Sequence, residues 1–241
     1  MEVFSRSDIG LIRKENQDSC SFSVISSSCV WAVVCDGMGG ARGGKTASSL
    51  AVEYITEFLN KNYNDKLSEE DLSALLIDAV DGANSKIYDA SVDDVELTGM
   101  GTTCDLVFIR SSVVHVVHVG DSRTYSIRGG KILQLTEDHS VVQEMVKRGE
   151  ITQEQADKHP NKNFITRALG VSPTVHIDYI EAEFEYGDVL LICSDGLTNC
   201  VSQADIVKTV HENRGIILID TLVELAKIGG GSDNITVTVI Y

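Results

Sequence analysis

The sequence of 241 residues is poor in the features that divide or anchor a chain. It has only two prolines, Pro160 and Pro173, and no glycine- or serine-rich linker, so we expect one domain over residues 1–241. No apolar run approaches the roughly 20 residues that a membrane-spanning helix needs. The N-terminal residues lack the basic start and apolar stretch of a secretory signal peptide, so we expect no leader.

Basic residues are also scarce. The chain has 20 Lys and Arg against 36 Asp and Glu, which gives a formal net charge of −16. A chain this acidic is poorly suited to bind nucleic acid or an anionic membrane through its overall electric field, so we expect neither partner. The acidic excess serves solubility alone, or it includes carboxylates that bind cations. Composition leaves both explanations open.

The cysteines show no metal or redox motif. None of the six cysteines forms a C-x-x-C pair, which is the usual signature of a zinc site or a redox pair. Most lie inside apolar runs, as Cys35 does at the end of Trp31-Ala-Val-Val-Cys35. We therefore expect buried, reduced thiols and a cytoplasmic location.

Strand and helix patterns do not alternate along the chain. Apolar, β-branched runs predict strands at residues 30–35, 104–109, 113–119, 123–127, 189–193 and 235–240. Short turn signals between the second, third and fourth runs indicate an antiparallel meander. Apolar residues spaced three or four apart, and serine-led starts, predict helices at residues 45–60, 72–90, from 202 onward and 216–228. This order favours antiparallel sheets covered by helices over a doubly wound parallel sheet.

Four aspartates share one sequence context. Asp36, Asp121, Asp195 and Asp233 each lie beside the end of a predicted strand and close to glycine. Asp-Gly is a common turn dipeptide, so a turn would explain any single case. Four such positions instead favour carboxylates that meet at one sheet edge, where they repel one another unless divalent cations lie between them. All-oxygen ligation suits Mg²⁺ or Mn²⁺ rather than zinc.

Other chemistries have weaker support. Residues 39–46 match the bare pattern of a nucleotide-binding P-loop. A P-loop follows its strand directly in a parallel sheet, whereas here Asp36 and Met38 precede the loop and the sheet is predicted to be antiparallel. No G-x-S-x-G or H-E-x-x-H motif occurs. His115 and His118 are interpreted as strand residues.

Eight short motifs occur in a fixed order along the chain. They are Arg13-Lys-Glu-Asn-Gln-Asp18, Val34-Cys-Asp-Gly-Met-Gly-Gly40, Gly101-Thr102-Thr103, Val119-Gly-Asp-Ser-Arg123, Leu135-Thr-Glu-Asp-His139, Ile165-Thr-Arg-Ala-Leu-Gly170, Cys193-Ser-Asp-Gly-Leu197 and Ser232-Asp-Asn-Ile-Thr236. Together they resemble the motifs of the PPM/PP2C metal-dependent protein serine/threonine phosphatases, of the single-domain bacterial type. The resemblance implies an α+β fold. This is a four-layer α-β-β-α sandwich of two antiparallel sheets flanked by helices, with a small flap over about residues 138–169.

The resemblance also implies a metal centre. Asp36 would bridge two Mn²⁺ or Mg²⁺ ions, and the Gly37 carbonyl would bind one of them. Asp195 and Asp233 would complete this tightly bound pair. Asp121, with Asp195, matches a third and weaker metal site found in bacterial members. A hydroxide bridging the two ions would attack the phosphorus of phosphoserine or phosphothreonine on a protein, without a phosphoenzyme.

Further roles follow from the same resemblance. Arg13 matches an arginine that binds the substrate phosphate, while Asp18 and Asn234 would orient waters or the loops. Some relatives carry a histidine near the glycine-rich loop, but here the corresponding positions hold Met38 and Ala41. A metal-bound water is therefore the expected proton donor. His139 is a distant alternative.

The implied partners are phosphoprotein substrates and, for a bacterial member, a Hanks-type Ser/Thr kinase that shares those targets. We expect a cytoplasmic monomer. The alternative function is a catalytically inactive relative that binds phosphoproteins. The loss of a metal ligand would mark such a protein, and all four aspartates are present.

Overall fold

The computed structural model describes residues 1–241, apart from the side chains of residues 40–42. Its strands, in chain order, are β1 (Val3–Asp8), β2 (Asp18–Ser26), β3 (Cys29–Met38), β4 (Gly101–Thr102), β5 (Cys104–Arg110), β6 (Val113–Val119), β7 (Arg123–Arg128), β8 (Lys131–Gln134), β9 (Asp178–Glu183), β10 (Val189–Cys193) and β11 (Ile235–Ile240). Its helices are α1 (Gly40–Asn62), α2 (Glu69–Asp93), α3 (Val141–Lys147), α4 (Gln153–Asp157), α5 (Asp195–Thr198), α6 (Gln203–Glu212) and α7 (Gly215–Ile228).

The strands form two antiparallel sheets. The first has the order β2-β3-β5-β6-β9, with the short β4 paired to β3, and the second has the order β1-β11-β10-β7-β8. Apolar side chains from both sheets form a shared core, which includes Val107 and Ile192. Helices α1 and α2 pack on the outer face of the first sheet. Helices α6 and α7 pack on the outer face of the second. The predicted four-layer α-β-β-α sandwich is confirmed.

Serine caps begin two of the predicted helices. Ser68 accepts a hydrogen bond from the Asp71 backbone N–H at the start of α2, and Ser202 accepts one from Asp205 at the start of α6. These side chains satisfy backbone donors that the first helical turn leaves unpaired. Helix α1 begins at Gly40, five residues before the predicted start at Lys45. The sequence pattern did not indicate this first turn because glycine has low intrinsic helix propensity.

The predicted meander is wrong. Strands β5 and β6 form a hairpin, but β6 pairs next with β9, and β7 lies in the other sheet between β10 and β8. The chain crosses between the sheets at Gly120, which has φ +117°. A Cβ atom at this position would stand 2.5 Å from Thr103 Cγ2, so only glycine fits. The Gly129-Gly130 turn joins β7 to β8, a strand that the sequence pattern does not predict.

Apolar and polar residues alternate along most of β11, a pattern that by itself would indicate only one buried face. All six residues of β11 are buried. The strand lies between β1 and β10, with α7 on one side and the first sheet on the other. Alternation of polar and apolar residues along β11 therefore does not mark a solvent face, and Thr236 and Thr238 are buried with the rest.

The polar segment expected to form a flap contains the short helices α3 and α4. Near its two ends the segment pairs with itself, where Ser140 bridges Ile165, and at its end Leu169 bridges Thr102 of β4. Through the second bridge, the segment returns beside β4, the strand that pairs with Gly37 and Met38. Within the part of the chain that the structure describes, no helix is long and apolar enough to cross a membrane.

The shared core makes a stability prediction. Ile192 is fully buried between the sheets, so Ile192→Ala should lower the free energy of unfolding by about 2–5 kcal/mol. Leu133 on β8 is 63% exposed, and Leu133→Ala should change it by less than about 0.5 kcal/mol. Denaturant unfolding of both variants measures the difference. Equal losses would contradict the assignment of the core between the sheets.

Candidate metal centre

A cavity of about 550 Å³ opens where strands of the two sheets end side by side. Its wall includes most of the residues singled out in the sequence, namely Arg13, Asp36, Gly37, Asp121, Asp195, Asp233 and Asn234. Both sheets contribute: β3 and the segment after β6 belong to the first sheet, and the segments beside β10 and β11 belong to the second. The cavity therefore forms only when the two sheets are packed together.

Asp36 lies within β3 rather than at its end, which corrects the expectation from the sequence. The strand continues through Gly37 and Met38, because both residues pair with the short strand β4. On its other side Asp36 stands opposite Asp18 of β2. An aspartate is thus held inside a paired strand, although aspartate is normally depleted there.

Two threonines hold the Asp36 backbone. The Asp36 N–H donates to Thr103 Oγ1 at 2.9 Å, and its carbonyl accepts from Thr102 Oγ1 at 2.8 Å and from the Thr103 N–H at 2.9 Å. Thr103 Oγ1 also forms a 2.8 Å hydrogen bond with Ser122 Oγ, beside Asp121. The Gly-Thr-Thr motif therefore connects two of the aspartates. The sequence contained this motif but did not predict its structural role.

Gly37 has no room for a side chain. A Cβ atom there would stand 2.1 Å from the Gly44 carbonyl oxygen and 2.6 Å from that of Gln17. Any larger residue would push apart the loop from β1 to β2 and the first turns of α1. Close approach of the backbone at this position is the physical reason for glycine after Asp36.

Asp195 is the first residue of the short helix α5. Its Oδ2 accepts a hydrogen bond from Asn199 Nδ2 at 2.9 Å. Its Oδ1 is buried and has no hydrogen-bond partner. Since an unpaired buried carboxylate oxygen is costly, this atom is suited to a ligand that the protein itself does not supply.

Asp233 and Asn234 precede β11 and hold the loop that carries Arg13. Arg13 Nη2 donates to Asp233 Oδ2 at 2.7 Å. Asn234 Oδ1 accepts from the Gln17 N–H at 2.8 Å, and its Nδ2 donates to the Ile9 carbonyl at 3.0 Å. The side chain of Asn234 therefore holds the loop between β1 and β2 by hydrogen bonds to its backbone.

Asp18 lies beneath the cavity and is only 2% exposed. Its Oδ2 accepts hydrogen bonds from Ser194 Oγ at 2.8 Å and Thr236 Oγ1 at 2.6 Å. Its Oδ1 is buried without a partner, like that of Asp195. The two hydroxyl donors escaped notice in the sequence. The only sequence signal for these donors was their position: Ser194 directly follows the apolar strand β10, and Thr236 lies inside the largely apolar strand β11.

We call Asp18, Asp36, Asp121, Asp195 and Asp233 the acidic cluster. Burial, followed by the charges of the other four carboxylates, raises the pKa of Asp36 well above its usual range. Burial and the neighbouring Asp195 charge raise the pKa of Asp121 to about 8. Burial is also the main cause that raises the pKa of Asp18 and of Asp195 to about 6. Protein cations therefore compensate the negative charge of the cluster only in part, chiefly through the Arg13–Asp233 ion pair.

The donor chemistry of the cluster fits divalent cations. The unpartnered Oδ1 atoms of Asp18 and Asp195 are hard oxygen donors, which suit Mg²⁺ or Mn²⁺. Among the described residues, no three His, Cys, Asp or Glu side chains stand close enough to form a closed ligand group. Carboxylates that do not form a closed group leave ligand positions for ion-bound water, which Mg²⁺ usually keeps.

No histidine lines the cavity among the residues with described side chains. Ala41, one of the two positions where a histidine was considered, lies outside those residues, and Met38 lines the wall. His139 lies behind the wall, where its Nδ1 accepts the Gly120 N–H at 3.1 Å. Burial, and then the charge of His118, lowers the pKa of His139 to about 4. His139 is therefore neutral and committed to the backbone, which does not fit a proton donor.

A second cavity of about 690 Å³ lies under the flap and shares Asp121, Asn163 and Asp195 with the first. Most of its remaining lining is polar, with amide side chains such as Gln153 and Gln203. The acidic cluster therefore lies at the junction of two polar cavities, rather than in an apolar small-molecule pocket.

Comparison with known proteins gives a consistent result. The model of the family described as Protein phosphatase 2C matches residues 13–215. The serine/threonine phosphatase stp of Listeria monocytogenes serotype 4b is 37% identical over 241 residues, which cover 100% of this chain and 95% of that protein.

Solved structures agree. The serine/threonine phosphatase of S. agalactiae superposes with a TM-score of 0.92 at 35% identity, covering 100% of this chain and 98% of that one. The catalytic domain of the serine/threonine protein phosphatase PstP, in complex with two manganese ions, gives a TM-score of 0.85 at 34% identity, covering 99% and 96%.

The repulsion within the cluster makes a prediction about metal-dependent stability. In a chelating buffer, Asp36→Asn should raise the melting temperature, because it removes one of the buried, repelling carboxylates. Mn²⁺ at about 100 times its dissociation constant should stabilise the wild type by about 2.7 kcal/mol, and the variant by much less. Calorimetric unfolding with and without Mn²⁺ tests this. Asp81→Asn, an exposed change on α2, is the control. Identical Mn²⁺ shifts in Asp36→Asn and wild type would contradict the prediction.

Proposed function

Since the chain belongs to the protein phosphatase 2C family of serine/threonine phosphatases, we propose that the acidic cluster is its catalytic centre. The phosphatase is metal-dependent, and its reaction is hydrolysis of phosphoserine and phosphothreonine on proteins. One observation carries the proposal. Aspartates from four separate segments of the chain line a single cavity, and one of their buried oxygens has no protein partner. A catalytically inactive relative has no support in the comparisons.

Two tightly bound Mn²⁺ or Mg²⁺ ions are part of the proposal. Asp36 would serve both ions, with the Gly37 carbonyl, Asp195 and Asp233 as further ligands. A third, weaker ion would be held by Asp121 and Asp195. Asp18 would orient these ligands from below, since its hydrogen bonds join the segments that precede α5 and form β11. All of these donors are oxygens, as both metals prefer.

The residues around the cavity position the phosphate. Divalent cations in such a site activate water as a nucleophile at neutral pH and offset charge on the phosphoryl oxygens. Arg13 is half exposed on the cavity rim and donates from one nitrogen to Asp233. Its planar guanidinium has further N–H groups that can hold two phosphate oxygens. We infer that the leaving serine or threonine oxygen takes its proton from water in the cavity, because the aspartates of the wall would be metal ligands and no histidine with a described side chain lines it.

The central test is activity after loss of a carboxylate. Asp36→Ala and Asp233→Ala should each lower Mn²⁺-dependent release of phosphate from a phosphothreonine peptide by at least about 100-fold, while circular dichroism stays native. Asp81→Ala, on the exposed face of α2, is the matched control and should keep wild-type activity. Near-normal turnover in either cluster variant would refute the assignment of the catalytic centre.

Arg13 is tested separately from the ligands. Arg13→Ala should raise KM and weaken inhibition by inorganic phosphate about 10- to 100-fold, because it removes charge-assisted hydrogen bonds to the phosphate. The maximal rate should fall much less. Lys14→Ala changes the neighbouring cation on the same cavity rim and is the control. If Arg13→Ala left KM and phosphate inhibition unchanged, Arg13 would be only a surface cation paired with Asp233.

The remaining parts of the proposal concern context. We propose that residues 1–241 act as one phosphatase domain, which works as a monomer and opposes a Hanks-type Ser/Thr kinase on shared targets. The six unpaired cysteines suit a reducing compartment, which supports a cytoplasmic location. Comparing phosphoproteomes with and without the protein would identify its substrates, and size-exclusion chromatography with light scattering would measure its oligomeric state.

A further inference from the structure

Two fully buried side chains outside the acidic cluster form a close pair. His118 on β6 places its Nδ1 2.6 Å from Asp105 Oδ1 on β5. The other carboxylate oxygen of Asp105 accepts a hydrogen bond from Thr124 Oγ1 at 2.7 Å. On the far side of the ring, His118 Nε2 lies 3.0 Å from the Glu137 carbonyl oxygen. The pair therefore connects β5, β6 and β7 to the residues that lead into the flap.

These contacts determine the protonation of the His118 ring. A carbonyl oxygen can only accept, so Nε2 donates to Glu137, and the Asp105 carboxylate accepts from Nδ1. Burial by itself lowers the pKa of His118, but the Asp105 charge and the hydrogen bonds to both ring nitrogens raise it above its ordinary value. The pair is thus an imidazolium and a carboxylate. Both ring nitrogens and both carboxylate oxygens have hydrogen-bond partners. Removing one member of such a buried pair leaves an uncompensated charge in the core.

The segment from Glu137 to His139, which we call the flap root, is held at two further points. Arg123 donates to Asp138 from Nε at 2.9 Å and from Nη2 at 2.6 Å. His139 forms two hydrogen bonds with Gly120: its N–H donates to the Gly120 carbonyl at 2.7 Å, and its Nδ1 accepts the Gly120 N–H at 3.1 Å. The flap root is therefore bound directly to the crossing between the two sheets.

The His118 ring lies against the His139 ring, with centroids 4.6 Å apart. Gly120 immediately precedes Asp121, and His139 immediately precedes Ser140, which caps the first flap helix α3. A shift of the flap root would therefore displace both the Asp121 turn and the start of the flap. No sequence motif pointed to this connection, because Asp105 and His118 each sit inside an apolar strand.

We propose that His118 and Asp105 are positioning residues for the catalytic centre. Their ion pair fixes the flap root through the Glu137 carbonyl. The flap root in turn fixes the turn that carries Asp121, so the weak cation site keeps its geometry. The link to this cation site rests on the proposed function, whereas the protonation of the pair does not.

The test compares Mn²⁺ binding in variants of the full chain by calorimetric titration. His118→Phe keeps a ring but removes both hydrogen bonds, and it should weaken the weakest Mn²⁺ site about tenfold or more while the tighter sites stay within experimental error. Asp121→Ala serves as the reference that lacks this site. Asp105→Asn removes the charge of the pair but can keep hydrogen bonds to His118 and Thr124, so it should weaken the same site by a smaller factor than His118→Phe does.

Val116→Ala is the control for general destabilisation, since it trims a fully buried residue of the same strand without touching the pair. It should leave the weak site intact.

Wild-type Mn²⁺ binding in His118→Phe, or equal loss in Val116→Ala, would overturn the proposal. If His118→Phe does not fold, ¹⁵N NMR of the wild type decides. Both ring nitrogens of His118 should be protonated at pH 7.5, and a neutral ring would overturn it. A wild type without Mn²⁺-dependent hydrolysis would instead refute the proposed function.

Discussion

Electrostatic repulsion between buried carboxylates is the constraint on which the rest of this structure depends. The acidic cluster has Arg13 as its ion-pair partner among the described residues, and that contact reaches only Asp233. Uncharged groups hold other members in place, through the backbone of Asp36 and through the side chain of Asp18. Thr103 fixes Asp36, Ser194 and Thr236 fix Asp18, and the Asn234 amide fixes the loop that carries Arg13. Hydroxyls and amides stabilise the arrangement without neutralising the charge of the carboxylates.

The two sheets share the repelling carboxylates between them. Asp36 and Asp121 come from the first sheet, and Asp195 and Asp233 come from segments of the second. The apolar layer between the sheets stabilises their packing and therefore opposes the repulsion at the edge. Polar contacts of the acidic cluster join residues that are far apart in sequence. Asp18 and Thr236 are 218 residues apart, and Arg13 and Asp233 are 220 apart. The centre is a product of tertiary structure rather than of any one motif.

The sequence predicted the central elements of the fold well. The bounds of β6, β10 and β11 agree with their apolar runs, and the caps at Ser68 and Ser202 begin the expected helices. Strands with less hydrophobic patterns were missed. Strand β2 is rich in serine and lies at a sheet edge, and β9 alternates acidic residues at the opposite edge. An edge strand buries too little surface to need a recognisable apolar run.

The site residues were predictable for a different reason. Aspartate beside a buried strand is unusual enough to be noticed, so four of the five members of the acidic cluster, all except Asp18, were singled out from their sequence context alone. The change of sheet at Gly120 was not predictable, because a turn within a meander and a crossing between sheets use the same short glycine-containing segment. The His118–Asp105 pair was also missed, since pairing across β5 and β6 depends on a register that local sequence does not encode.

The place of β11 in its sheet bears on when the protein becomes functional during synthesis. This strand lies between β1 and β10, yet among the described strands the ribosome makes it last. Until it emerges, β1 has no partner in its sheet, and the segment that carries Asp233 has no anchor. A nascent chain with the other ten described strands complete would still lack one wall of the cavity. Non-local pairing of this kind slows folding. The proposed catalytic centre is therefore incomplete on the emerging chain until this strand is in place.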